Sequence, residues 1–114
     1  MSEDHKYQGW SNYETWAVKL WLDNEEGSSD YWRDQTRAIV DDPPNGNEFI
    51  TSERQAVRVL AGELKAWHEE AMPDLEGFVS DLLNSAFSEV DWDEMAESMI
   101  GDAKEEADYE AARA

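Results

Sequence analysis

The chain has 114 residues, 40% of them hydrophobic and 11% aromatic, and carries 28 acids against 9 bases for a net charge of −19. That length suits one domain with a modest core, and the apolar content is too high for a disordered chain. The charge argues against direct contact with nucleic acid, whose phosphates call for Lys and Arg, and against anionic membranes.

It favours instead a basic partner, a cationic ligand or a high-salt setting. With no cysteine, disulfides, thiol nucleophiles and thiolate metal sites are excluded. No apolar run approaches the roughly 20 residues that span a bilayer. The polar start Met1–Tyr7 has no apolar segment of a secretion signal behind it, so a cytoplasmic protein is expected.

Residues 1–9 are polar and are expected to form a flexible arm. Trp10-Ser11-Asn12-Tyr13-Glu14-Thr15-Trp16 then opens the most aromatic stretch. Ser11 with Glu14 three positions on has the form of a capping box and predicts a helix over about 12–23. Tyr13, Trp16, Ala17, Leu20 and Trp21 recur at helical spacing. They predict a packing hub, with only Trp10 and the solvent side of Glu14, Thr15 and Lys19 left free. Gly27 is expected to end this helix in a left-handed conformation.

Ser28 and Ser29 can cap a second helix over 30–41, with Asp30–Arg33 and Asp34–Arg37 paired on its surface. Trp32, Thr36, Ile39 and Val40 form its inner face. Pro43, Pro44 and Asn45-Gly46 then break the chain, and Phe49 and Ile50 are expected to return to the core. A third helix begins after Thr51 or Ser52, where Ser52 with Gln55 has the form of a capping box, and its stripe runs Ala56, Val57, Leu60, Ala61, Leu64, Trp67, His68 and Ala71. It should end before Pro73, because the residue preceding a proline avoids helix.

Pro73 suits the first turn of a fourth helix with the stripe Leu75, Phe78, Val79, Leu82, Leu83, Ala86 and Phe87. Asp91 with Glu94 is the acidic counterpart of a capping box for a fifth helix, lined by Trp92, Met95, Ala96, Met99, Ile100, Ala103 and Ala107. Residues 108–114 read as a helical extension or frayed tail. With no alternating strand pattern and no repeat, the expectation is an all-α, compact single-domain bundle of about five helices over 10–107.

The acids are unevenly placed. Residues 1–68 hold 13 acids and 7 bases, and residues 69–114 hold 15 acids and 2 bases. From Glu89 to Glu110 run Asp91, Asp93, Glu94, Glu97, Asp102, Glu105, Glu106 and Asp108. As one helix this span covers ~33 Å, a length over which duplex DNA carries roughly 19 charges. The segment reaches about half that density, and Glu69, Glu70, Asp74, Glu76 and Asp81 can add to it. A helix can thus hold carboxylates at phosphate-like intervals. Solvated surface and salt adaptation, the latter consistent with only four lysines, account for the same charge without a partner.

No catalytic pattern stands out. His5 and His68 are isolated, no zinc spacing or calcium loop is present, and the glycines are scattered. Carboxylate pairs are so abundant that none is informative about acid–base chemistry. A non-enzyme without cofactor or metal is expected.

Trp10-Ser11-Asn12-Tyr13-Glu14-Thr15-Trp16 followed by Leu20-Trp21-Leu22-Asp23-Asn24 resembles the motif of an uncharacterised family of small acidic proteins of phages, plasmids and other mobile elements. Leu75–Leu83 and Glu89–Ala96 resemble its C-terminal half. The resemblance implies a genomic setting and carries no catalytic residues.

Three readings of function follow. The first is an acidic DNA mimic that inhibits a basic, nucleic-acid-binding restriction or CRISPR-type complex of the host, with Glu89–Glu110 as principal footprint. The alternative is a structural or regulatory interaction protein, dimeric or salt-adapted, whose contact surface is the aromatic N-terminal region. An enzyme using clustered carboxylates with Mg²⁺ is a third, weaker reading.

Overall fold

The computed structural model describes residues 7–113. Residues 1–6 of the expected arm, His5 among them, and Ala114 lie outside the described residues. Five helices are present: α1 (Tyr13–Asn24), α2 (Glu26–Asp41), α3 (Ser52–Ala71), α4 (Gly77–Ser88) and α5 (Trp92–Arg113). No strand occurs among the described residues, so the fold is the all-α bundle that the helical periodicity predicts. Ahead of α1, Tyr7 and Trp10 exchange two 2.7 Å backbone hydrogen bonds. Gln8 and Gly9, both at positive φ, form the turn between them.

The core lies where α5 packs against α3 and α2. Leu60 and Leu64 from α3, Met95 and Ala96 from α5, and Trp32 from α2 are fully or almost fully buried. They follow the 3- and 4-residue spacings of those helices, so for α2, α3 and α5 the apolar face is the inner face. Burying each large side chain stabilises by roughly 1.5–3 kcal/mol.

Several local expectations are corrected. The N-cap of α1 is Asn12 and not Ser11: Asn12 Oδ1 accepts the Thr15 N–H at 2.9 Å. The N-cap of α3 is Thr51, whose hydroxyl accepts the Arg54 N–H at 3.0 Å, while the Ser52 hydroxyl donates to the Pro44 carbonyl at 2.7 Å. α2 begins at Glu26, so Gly27 sits inside it without a left-handed φ. The Ser28 hydroxyl donates to the carbonyls of Leu22 and Glu25, closing the end of α1 and not capping α2. Asp91 does cap α5, its Oδ1 accepting the Glu94 N–H at 3.0 Å.

Phe49 is 87% exposed, contrary to its expected return to the core. The loop is closed by polar bonds. Asn47 Oδ1 accepts the N–H groups of Phe49 and Ile50 at 2.7 and 3.1 Å, and the Asn47 N–H donates to the Ile50 carbonyl at 2.8 Å. Gly46 is packed so tightly that a Cβ would stand 2.6 Å from both Ile50 O and Ser52 N. Backbone satisfaction, not apolar burial, sets this turn.

α1 presents a different face from the predicted one. Thr15 and Leu22 are buried and Val18 packs on the core, whereas Tyr13, Leu20 and Trp21 are exposed, Trp21 by 70%. Lys19, read as solvent-facing, is mostly covered and paired with Asp23 at 2.7 Å. Trp67 is also exposed, and of the tryptophans only Trp32 and Trp92 are buried.

α4 departs furthest from expectation. It starts at Gly77, with φ +76°, and not at Pro73, and it buries no residue at all. No helix packs against it to the extent seen elsewhere in the bundle. Its anchorage is Phe87, which lies on the core with its ring 5.3 Å from that of Trp92.

Candidate interaction surface

The N-terminal motif is a latch. The Ser11 N–H donates to both carboxylate oxygens of Glu94 at 3.1 Å, Asn12 Nδ2 donates to the Glu89 carbonyl at 2.6 Å, and the Asp91 N–H donates to Thr15 Oγ1 at 2.8 Å. The small polar residues of the motif thus meet the turn that opens α5. A negative carboxylate and a helix N-terminus are each given a partner of the right sign. These bonds fix the rotation of α1 about its own axis, so the aromatic side faces solvent. Trp10 packs partly buried against the core beside the latch, and the half-buried Trp16 lies against Tyr7 and Tyr13, ring centroids 4.8 and 5.5 Å away and planes tilted. Glu14 is half-buried and forms no cap bond.

Thr15, expected on the solvent side of α1, is fully buried. The spacing Thr15, Val18, Leu22 was the available signal.

The carboxylates of α5 are largely engaged within the molecule. Arg54 of α3 donates to Asp93 and Glu97, both at 2.9 Å. Arg37 of α2 donates to Glu106 at 3.3 Å and Glu110 at 2.9 Å, and also to Asp41 at 3.0 Å. Each arginine straddles an i,i+4 pair of acids and ties α5 to a neighbouring helix. Arg37 therefore does not form the expected pair with Asp34, whereas Arg33 does face Asp30, at 3.7 Å. The hydrogen bond from Arg37, reinforced by its charge, holds the Glu110 carboxyl below its ordinary range.

Glu94 serves the latch and Asp91 the cap. The expected footprint therefore splits. Asp102, Glu105 and Asp108 on α5, and Glu69, Glu70, Asp74, Glu76, Asp81 and the Glu89 side chain around α4, are exposed and without a hydrogen-bond or ion-pair partner among the described residues.

Other chemistry is sparse. His68 Nδ1 donates to the Leu64 carbonyl at 2.7 Å, and its ring packs 4.9 Å from Trp67 and 5.2 Å from Trp92. Burial pushes its pKa down against the smaller opposing effect of the Leu64 bond. This is a structural histidine. Among the described residues no group of three or more His, Asp or Glu side chains is placed to hold a metal ion. A cleft of about 570 Å³ between α3 and the start of α5 mixes Arg58 and Lys65 with Glu89, Asp91 and Asp93. No described helix is long and apolar enough to cross a membrane.

No curated protein and no solved structure matches the chain. A family profile does, over residues 3–110, taking in the N-terminal motif, the latch and nearly all of α5. By that match the chain belongs to DUF7249, a family of unknown function.

Proposed function

We propose that the protein is a non-catalytic, mobile-element-encoded binding protein that occupies the nucleic-acid-binding surface of a basic host protein, a restriction or CRISPR-type defence complex in the host cytoplasm. The observation that carries this reading is the set of exposed carboxylates from Glu69 to Asp108 that have no partner among the described residues, in a segment that has almost no base. Such a field attracts cationic surfaces and speeds their encounter. The reading involves no cofactor, no direct contact with nucleic acid and no membrane. Because Arg37 and Arg54 neutralise part of α5, the mimicry is of a patch and not of a continuous duplex edge. Affinity capture from host lysate at low salt tests the idea, followed by identification of what elutes as salt rises. A basic nucleic-acid-binding protein should elute, and restriction or CRISPR interference should fall when the protein is present. The reading fails if no such partner elutes and no defence system is inhibited.

A second reading is an interaction protein, dimeric or salt-adapted, that makes contact through its aromatic N-terminal region. The exposure of Tyr13, Leu20 and Trp21 along α1 supports this. Under this reading Trp21→Ala abolishes partner capture or dimerisation while loss of the α4 and α5 acids leaves it unchanged. Refolding that requires molar salt would attribute the acidity to halophily instead.

A further inference from the structure

We infer that α4 is a docking element for a basic amphipathic helix of a partner protein. Phe78, Val79 and Leu82 lie within about 100° of arc on one side of α4, and Phe78 and Leu82 are 75% and 64% exposed. Leu75, just ahead of the helix, is exposed as well. The opposite end is held by Phe87, so the exposed side belongs to an anchored helix. A continuous apolar stripe that the bundle leaves uncovered is the form an interaction surface takes.

Charge selects the occupant. In sequence the stripe is accompanied by Asp74, Glu76 and Asp81, with Glu70 before it and Glu89 after, and there is no Lys or Arg from Glu69 to Asp91; the nearest bases are Arg58 and Lys65, which share the cleft with Glu89 at the far end of α4. A second copy of the chain would bring another charge of −19 and the same acids against these. Nucleic acid and anionic membrane carry the same wrong sign. One helix side offers a surface and not an enclosed cavity, so a small cation is poorly held. An amphipathic helix with Leu-type residues along one face and Lys or Arg beside them satisfies both the stripe and its rim. Laying an apolar helix face against a complementary apolar surface is a recurrent recognition mode. The inference rests on the proposed binding function only for the sign of the partner's charge.

The probe is a synthetic 18-residue amphipathic Leu/Lys helix, titrated by calorimetry into the full-length chain. A peptide of the same composition with scrambled order, which lacks the apolar face, is the control. Binding to the ordered peptide should be at least tenfold tighter than to the scrambled one. It should fall at least tenfold in Phe78→Ser/Leu82→Ser, a variant expected to keep the urea midpoint of the native chain because both sites are exposed. Asp102→Asn/Glu105→Gln/Asp108→Asn should weaken binding less. Equal binding of the two peptides, or undiminished binding to the Phe78/Leu82 variant, overturns the inference. So does a chain that sediments as a dimer dispersed by those substitutions. If the α4 variant still captures a basic nucleic-acid-binding protein from lysate, docking at α4 is wrong while the proposed function stands. If the peptide behaves as expected but no such protein is captured, the reverse holds.

Discussion

The Thr15 hydroxyl accepts the backbone N–H of Asp91 at 2.8 Å, joining α1 to the first turn of α5 across 76 residues of sequence. With the Ser11–Glu94 and Asn12–Glu89 bonds it makes the two most recognisable segments of the chain parts of one latch. Thr15→Val keeps the shape and removes the acceptor. It should cost about 1–3 kcal/mol, the range for a hydrogen-bonding group left without its partner, measured by urea denaturation. Thr15→Ser should recover most of that. Equal stability of the Val variant would show that the latch does not hold α1.

The core and the exposed stripe predict opposite responses to truncation. Leu60 is fully buried between α3 and its neighbours, so Leu60→Ala should lose about 2–5 kcal/mol through lost burial and a residual cavity. Phe78→Ala should change stability by no more than about 0.5 kcal/mol, as at other surface sites. A large loss at Phe78 in the urea midpoint would mean that α4 is packed more closely than described.

Glycine substitutions separate a required glycine from a dispensable one. A methyl group on Gly46 meets the backbone at Ile50 and Ser52, so Gly46→Ala should cost about 1–3 kcal/mol, as overpacking does. At Gly27 no atom lies within 4 Å of the added Cβ, and the backbone is helical. Gly27→Ala should therefore stabilise by about 0.5–1 kcal/mol. Thermal midpoints of the pair check both signs.

Acid pH should weaken the fold through His68 and Glu110. His68 titrates below its ordinary 6.5 because burial disfavours the imidazolium. Between its folded pKa and 6.5 the unfolded chain binds more protons, so this contribution is complete above 6.5 and is lost as pH falls through the folded pKa. Glu110 is also depressed, so its contribution is complete above 4.5 and is lost as pH falls through its lower folded value. Relief of carboxylate repulsion acts in the opposite direction, so the direct measurement is an NMR titration of the His68 ring. Its midpoint should lie below 6.5; a midpoint at or above that value contradicts the described burial.

Arg37 joins three carboxylates from two helices. Arg37→Gln should lower the thermal midpoint, because Glu106, Glu110 and Asp41 are then left facing one another. The deficit should shrink as added salt screens them. A salt-independent deficit would assign the role of Arg37 to packing of its aliphatic stem.

The helices themselves were legible because their causes are local. The spacings in Ala56–Leu64 and Trp92–Ala103, the prolines at 43, 44 and 73, and the Asp91 cap all act within a few residues. They sufficed for an all-α bundle, though Asn12 replaced Ser11 as the cap of α1. Periodicity also shows which side of a helix is most apolar. It does not show which side meets another element. The rotation of α1 was decided by hydrogen bonds between Ser11, Asn12 and Thr15 and residues more than 70 positions away, which left Trp21 outside. The exposure of α4 was decided by the absence, among the described residues, of a helix packed over its stripe. Which carboxylates remain free was decided by Arg37 and Arg54 reaching across from α2 and α3. Composition determined the sign and size of the charge, but only the packing of distant segments decided where that charge, and the apolar surface beside it, face solvent.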